Sequence, residues 1–393
     1  MTAAPTIVVA GAGIGGMTAS LTLAGRGFRI ILLERADRLE EAGAGLQLSP
    51  NASRVLIGLG LESRLAPNAI APDAVSVMTV RTGDEVGRIP LADAAVRYGA
   101  PYWVIRRADL QAALIGKVAE TPAIELRLGA EVTDVTQNAG GVTVTCASGS
   151  QDSAAALIGA DGVWSAVRQR LFPEIHPQFT GRIAWRGIVD ASRAPAGFDP
   201  HNVQLWLGAN AHLVTYPMAD GQRINVVAIT TGTWHAQGWS EPGDAAELAA
   251  QFAVTHWPAA ARAMIGAVSD WRKWALFALR DGGVWHKERV ALLGDAAHAM
   301  VPFVAQGAGM AIEDAAVLAG CLADGQSDIP AALTRYENLR APRVTRVQRT
   351  AHQTGGIYHL AGPMALARDT AMRMLGGQRL LARQDWIYGW RAD

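Results

Sequence analysis

The stretch Thr6-Ile7-Val8-Val9-Ala10-Gly11-Ala12-Gly13-Ile14-Gly15-Gly16 decides how the chain begins to fold. A short apolar run rich in β-branched residues reads as a buried strand, and glycines follow it in the spacing G-x-G-x-x-G. A helix is expected over about residues 15–25, then a second strand, Arg29–Leu33, with the acid Glu34 at its end. Strand, glycine turn, helix, strand and acid together form the context that a dinucleotide fingerprint requires. Gly11 permits the tight turn, Gly13 lets the backbone approach a pyrophosphate, and Gly16 lets helix and strand pack closely; Gly15 is counted with them. Glu34 is expected to accept hydrogen bonds from an adenosine ribose. An acid there disfavours a 2′-phosphate, so FAD or NAD fits and NADP does not. Arg35 is also assigned to the cofactor, although it points to the opposite side if the strand continues.

A second junction of this kind lies far along the chain. Val290-Ala291-Leu292-Leu293 is apolar, stops at Gly294, and is followed by Asp295-Ala296-Ala297-His298. Ligands of open α/β sheets bind beyond the carboxyl ends of strands, which places Asp295 against one. Gln306-Gly307-Ala308-Gly309-Met310 then opens a helix, whose free N–H groups favour anionic ligand atoms. Ala156–Gly159 followed by Ala160-Asp161-Gly162 gives a third strand ending in an acid, with Ser165 and Arg168 on the next turns. Acids this far apart in sequence imply a cofactor domain assembled from separated segments.

The totals agree with a compact globular chain and exclude several other classes. The chain has 393 residues, half of them hydrophobic, with 35 basic and 35 acidic side chains. Zero net charge gives no footprint for nucleic acid. Cys146 and Cys321 are far apart and read as buried free thiols, and no His motif suggests a metal. The N-terminus lacks the basic region of a secretory signal, and no segment reaches transmembrane length without charge. A cytoplasmic, membrane-free protein is expected, as a monomer or homodimer.

Between these landmarks the pattern changes. The small-residue loop 42–51 leads into a helix for which Asn51 is a candidate N-cap. Arg107 stands near the start of another helix, an unfavourable place for a cation unless an anion is nearby. From about 179 to 270 the chain reads as strands broken by turns, one of them at Ala219-Asp220-Gly221, which suggests a mainly antiparallel sheet inserted for substrate. His212 and Tyr216 lie four apart on one strand and so point to one face. They could hydrogen-bond a phenol or carboxylate and relay protons between them, or serve as satisfied core groups. Residues 331–359 are helical in pattern, with Pro342 expected to kink or restart the helix. Arg340, Arg343, Arg346 and Arg349 read as a basic stripe on one face, either solvated, subunit-facing or docking a nicotinamide phosphate. The aromatic tail 383–390 is expected to tuck against the body.

Over nearly the whole chain these residues resemble the single-component FAD-dependent aromatic hydroxylases, the para-hydroxybenzoate hydroxylase family. The resemblance rests on Gly11-Ala12-Gly13-Ile14-Gly15-Gly16 with Glu34, on Gly159-Ala160-Asp161-Gly162 with Ser165 and Arg168, and on Gly294-Asp295-Ala296-Ala297-His298 with Pro302 and Gln306-Gly307-Ala308-Gly309. It implies an α/β fold with a Rossmann-like FAD domain over 1–74, 100–178 and 271–330. A β-sheet substrate domain over 75–99 and 179–270 and a C-terminal helical segment over 331–393 complete it. It further implies that Glu34 binds the adenosine ribose, Arg107 the pyrophosphate and Asp295 the ribityl chain. The turn Gly307, Ala308, Gly309 and Met310 would face the flavin pyrimidine edge, and Asp161 would support the cofactor site and reaction with NAD(P)H. Within the family the chain looks most like salicylate hydroxylase, 3-hydroxybenzoate 6-hydroxylase and 6-hydroxynicotinate 3-monooxygenase. The implied catalytic residues are His212, Tyr216 and Pro302, with Gln47, Met300 and Phe303 lining the pocket. Gln47 and Phe303 stand where some relatives carry His. The reaction implied is hydroxylation of a small phenolic acid by O2 through a flavin C4a-hydroperoxide, with NAD(P)H as co-substrate. A hydroxynicotinate-type reaction, an NAD(P)H oxidase without hydroxylation, and a flavin-binding module without turnover are the competing readings.

Overall fold

Thr6–Ala10 is a fully embedded strand, and the rest of the cofactor side of the molecule is built outward from it. In the computed structural model it pairs in parallel with Arg29–Leu33 on one side and Ala156–Gly159 on the other. The six-stranded sheet runs His286–Lys287, Val290–Leu292, Ala156–Gly159, Thr6–Ala10, Arg29–Leu33, Ile124–Arg127, and only the first of these is antiparallel. The chain leaves Thr6–Ala10 toward one edge and returns much later on the other side. That arrangement is a topological switch point, where such sheets open a crevice for a ligand. The structure describes residues 4–39, 45–218, 221–235, 238–254 and 257–392. The expected loop residues 42–44 and the turn residues Ala219 and Asp220 lie outside them.

Two long helices lie side by side over this sheet, Ile14–Ala24 and Gly307–Asp324. Their contact is close because Gly15 has no side chain: a Cβ there would stand 2.9 Å from Leu293 and 3.2 Å from Ala311. Gly16 is equally constrained, since a Cβ would fall 1.8 Å from the Gly11 carbonyl oxygen. The helix N-termini are therefore brought together at the carboxyl end of the sheet.

The second large element is an eight-stranded sheet in the order Ser240–Gly243, Trp271–Ala278, Gln178–Asp190, Arg223–Thr231, Ala211–Met218, Val203–Gly208, Ala74–Thr79, Glu85–Pro90. All its pairs are antiparallel except Val203–Gly208 with Ala74–Thr79. The expected sheet boundary at 270 falls too early, because Trp271–Ala278 pairs along Gln178–Asp190 and belongs to this sheet. One face carries Trp185, Leu213, Val226 and Ala228, which pack on Leu248, Phe252, Met264 and Ile265 of the helices Ala245–Val254 and Ala259–Ala267. The other face turns toward the cofactor side. Among the described residues no helix is long and apolar enough to cross a membrane.

The C-terminal helices depart from expectation in two ways. Ile329–Tyr358 runs through Pro342 as one helix of 30 residues, and the tertiary contacts along it outweigh the lost hydrogen bond. The arginines do not share a face. At about 100° per residue, positions nine apart differ by half a turn, so Arg340 and Arg349 point in opposite directions. Arg340 is 1% exposed and bonds Glu313 and Asp314 at 2.7 Å each. Arg343 also bonds Glu313, Arg346 stacks 3.9 Å over the Trp386 ring, and only exposed Arg349 reaches a surface acid, Asp281. Through Trp386 and Trp390 the aromatic tail lies against these arginines.

Candidate active site

Three chain segments end at the same crevice. Beyond Thr6–Ala10 comes Gly13, beyond Ala156–Gly159 come Ala160 and Gly162, and beyond Val290–Leu292 come Leu293, Gly294 and Asp295. Gly294 takes φ +62° and ψ −140°, a conformation open to glycine, and its N–H donates to Asp314 at 3.1 Å. His298 bonds the same carboxylate oxygen at 2.6 Å, and Arg340 binds the other. Burial alone would raise Asp314, but His298 and Arg340 outweigh it and hold the carboxyl below its ordinary value. This buried cluster fixes the turn and leaves Asp295 exposed at the cavity.

The helix Gly307–Asp324 is anchored in a similar way. Its first intrahelical bond is Met310 N–H to Gln306 O at 2.8 Å, so the N–H groups of Gly307, Ala308 and Gly309 fall outside the ladder. Gln306 accepts from Asn51 at 3.1 Å and donates to Ser49 at 2.8 Å, while Asn51 also donates to Glu313 at 2.7 Å. Asn51 is thus a buried tie between segments and not the N-cap, a position held by Ser49. Gly309 makes room for Gln306, whose Oε1 would stand 2.8 Å from a Cβ.

The main cavity, about 340 Å³, lies between these helix starts and the large sheet. Ala184 and Arg186, His212, Val214 and Tyr216, and Val227 and Ile229 alternate along three neighbouring strands and form its floor. The centre of that floor is apolar and its ends are polar. His212 and Tyr216 are four positions apart, which separates their Cα atoms by about 13 Å along the strand. They stand at opposite ends of the cavity floor, too far apart for a direct Tyr216-to-His212 proton transfer. His212 Nδ1 lies 2.8 Å from His359 Nε2 instead. Burial, His359 and Arg182 hold the His212 imidazole well below its usual range. Burial, Arg182 and Arg368 bring His359 down to about 4. Both rings are neutral at neutral pH. At the other end Tyr216 packs on the backbone of Gly45, and burial raises its phenol against the pull of Arg186.

The main cavity gathers Gly13, Gly15, Gln47, Arg107, His212, Tyr216, Asp295, Pro302, Gly307 and Ala308. Gln47 is held by a 2.6 Å bond from the Tyr102 hydroxyl. A second cavity, about 370 Å³, gathers Gly11, Gly13, Glu34, Arg35 and Asp161. The strand ends at Leu33, so Arg35 shares this cavity with Glu34 and does not point to the opposite side. Glu34 accepts from Ala12 N–H at 2.8 Å. Met310 departs from its assignment: it is the fourth residue of its helix, fully buried, with its sulfur 3.7 Å from Arg340. Phe303 lines a different cavity and presses against Gly355, with its ring centroid 5.4 Å from that of His212, so it backs the imidazole and does not line the main cavity. The sequence reading missed Arg186 and His359. Arg186 carries no motif, and His359 is 147 positions from the residue it bonds.

The two cavities share Gly13, Ala160 and Gly162, and a Cβ at Gly13 would meet no atom within 4 Å. A long dinucleotide fits this shape, with its diphosphate passing over Gly13. Asp161, whose carboxyl is raised by burial, keeps one buried oxygen without a partner on the side where such a ligand would lie. The three free N–H groups at Gly307–Gly309 suit an electron-rich flavin edge. The residues present therefore fit FAD.

Known proteins give the same answer. The family profile described as an FAD binding domain matches residues 4–351. A 3-amino-4-hydroxybenzoate 2-monooxygenase from Streptomyces platensis is 39% identical over 99% of this chain and 96% of its own length. A 3-hydroxybenzoate 6-hydroxylase from Klebsiella oxytoca is 34% identical over 98% and 97%. A solved salicylate hydroxylase substrate complex superposes with a TM-score of 0.85 at 29% identity, covering 100% of this chain and 97% of the other. With a crevice shaped for a flavin dinucleotide and relatives of this kind along its whole length, the chain belongs to the FAD-binding domain family and is an FAD-dependent aromatic monooxygenase.

Proposed function

We propose that this enzyme hydroxylates a small phenolic aromatic acid, using NAD(P)H and O2. The observation that carries the reading is the floor of the main cavity. It is a sheet face with an apolar centre, a neutral imidazole at one end and the Arg186 guanidinium at the other. Bound FAD supplies the oxygen transfer, and the side chains determine which ring it meets and in which protonation state. Glu34 and Arg35 would hold the adenosine end, Arg107 the diphosphate and Asp295 the ribityl chain, while the N–H groups of Gly307–Gly309 would stabilise charge at the flavin edge. Pro302 and Met300 close the cavity above the ring and, with Val214, Val227 and Ile229, keep water away. Arg186 pairs with the carboxylate, and Tyr216 and Gln47 fix the ring's tilt. His212 Nε2 takes the phenol proton, which makes the ring carbons ortho and para to the oxygen nucleophilic. The segments 75–99 and 179–278 then act as the substrate wall, and the flanking segments as the cofactor wall.

The test is a panel of hydroxybenzoates, amino-hydroxybenzoates and hydroxynicotinates, scored for stimulated NADH oxidation and for product gaining one oxygen. A phenolic acid is expected to stimulate oxidation and to be hydroxylated. His212→Ala is expected to lower product formation about 100-fold or more while leaving flavin bound. Wild-type product formation in that variant would remove His212 from the reaction.

A further inference from the structure

The floor of the main cavity does not end at Arg186. Along the strand register the same face carries Ile188 beyond Arg186 and Asn225 beyond Val227, and it continues sideways to Arg272 and Trp274 of Trp271–Ala278. These side chains line a separate hollow of about 370 Å³, which shares Arg186 with the main cavity. One guanidinium therefore stands on the boundary between two spaces.

Two features of this hollow point to an anion. Arg186 and Arg272 stand directly opposite one another across their strand pair, where like charges repel. The Trp274 ring lies against both guanidinium groups, 5.4 and 6.0 Å from their central carbons, and neutralises neither. The second feature is Asn225, which is 1% exposed. Its Oδ1 accepts from the Gly45 N–H at 2.9 Å, which fixes the amide with Nδ2 as its other end. That Nδ2 is buried with no hydrogen-bond partner among the described residues. A buried donor left unpaired costs stability unless a ligand takes it up. On the rim stand exposed Arg193 and Arg223, with the acids Asp190 and Asp270, and Arg223 lies 3.9 Å from Asp190. Four guanidinium groups against two carboxylates leave the hollow cationic.

We infer that this hollow is an antechamber for the aromatic acid: Arg272 and the Asn225 amide first hold the carboxylate, with the ring against Trp274, and the acid then passes inward to the main-cavity side of Arg186. This inference rests on the reading of the main cavity as a site for a phenolic acid. No covalent bond forms or breaks in the step. The carboxylate exchanges one guanidinium for the next, on strands about 5 Å apart, so it crosses toward the apolar floor without losing its countercharge.

Stopped-flow mixing of flavin-loaded enzyme with a hydroxybenzoate tests the proposal. Tryptophan quenching reports on Trp274, and the change in flavin absorbance reports on the main cavity. Quenching should come first, and the rate of the flavin change should level off as the acid concentration rises, as a two-step path requires. Trp274→Phe should remove the early quench. Arg272→Gln should raise the concentration that gives half the plateau rate about tenfold. Asn225→Asp keeps the acceptor for Gly45 but replaces the donor with a carboxylate oxygen, and should raise that concentration at least as far. The matching hydroxybenzamide, which has no carboxylate, should show no early step and little response to Arg272→Gln. A flavin response whose rate rises linearly up to full saturation would overturn the antechamber and leave the phenol site standing. So would an unchanged half-plateau concentration in Arg272→Gln, or an equal effect of that variant on the hydroxybenzamide. A wild type whose flavin responds to no phenolic acid would overturn the reading of the main cavity, and this inference with it.

Discussion

Two buried polar clusters lie on either side of the main cavity, and they are built on opposite principles. The cluster behind the cofactor wall, Glu313, Asp314, Arg340 and His298, is charged, and its carboxylates are bonded from several sides. The pair behind the substrate wall, His212 and His359, is neutral and bonded ring to ring. Paired charges in a dry interior hold positions, because losing either partner leaves the other charge stranded. Neutral imidazoles hold position less firmly. One wall is thus braced by paired charges, and the other carries buried groups that stay neutral.

The comparison breaks most visibly at Arg340. Arg340→Ala should leave Asp314 without its guanidinium partner and Glu313 with Arg343 alone, and cost about 3–5 kcal/mol of stability, read by chemical denaturation. It should also loosen flavin, since Asp314 holds Gly294 and Glu313 holds Asn51. A loss under 1 kcal/mol would mean that the cluster does not brace the cofactor wall.

Acid sharpens the comparison, because the two clusters should fail in different pH windows. His212 and His359 have folded values below 6.5, so the unfolded chain takes up protons first. The His359 contribution is intact above pH 6.5 and is lost as pH falls toward about 4, amounting to about 3 kcal/mol at most, and the His212 contribution is lost in the same direction. Asp314 is depressed below 3.8, so its contribution persists through that window and is lost only under more acidic conditions. Stability measured against pH should therefore fall in two steps, and His359→Phe should flatten the first. The smallest effect belongs to Arg349, on the opposite face of the helix from Arg340. Its exposed pair with Asp281 should contribute no more than about 1 kcal/mol, and Arg349→Ala should unfold close to wild type.

The cofactor wall was largely legible in the sequence, because its chemistry depends on backbone shape. A turn that admits no Cβ at Gly16, or the positive φ of Gly294, leaves a glycine at a fixed offset from a strand, and strands announce themselves by composition. The substrate wall was legible only in part. Alternation placed His212 and Tyr216 on one face, yet nothing local marked Arg186 among the arginines of its strand. His359 was invisible, since its meaning depends on a partner reached only through the packing of a helix against a distant sheet. The arginine stripe misled for a related reason. Spacing by three suggests a face over two residues but winds half round the helix over four, and the acids that draw Arg340 inward stand on another helix. Pro342 misled because a breaker acts against the local ladder, whereas this helix is held by tertiary contacts along its length.

The most direct test of the whole account is the fate of molecular oxygen. With NADH, a hydroxybenzoate that stimulates its oxidation, and ¹⁸O₂, mass spectrometry should find one labelled oxygen in the aromatic product and little peroxide. Rapid NADH oxidation that yields peroxide alone, with no labelled product from any phenolic acid, would contradict it.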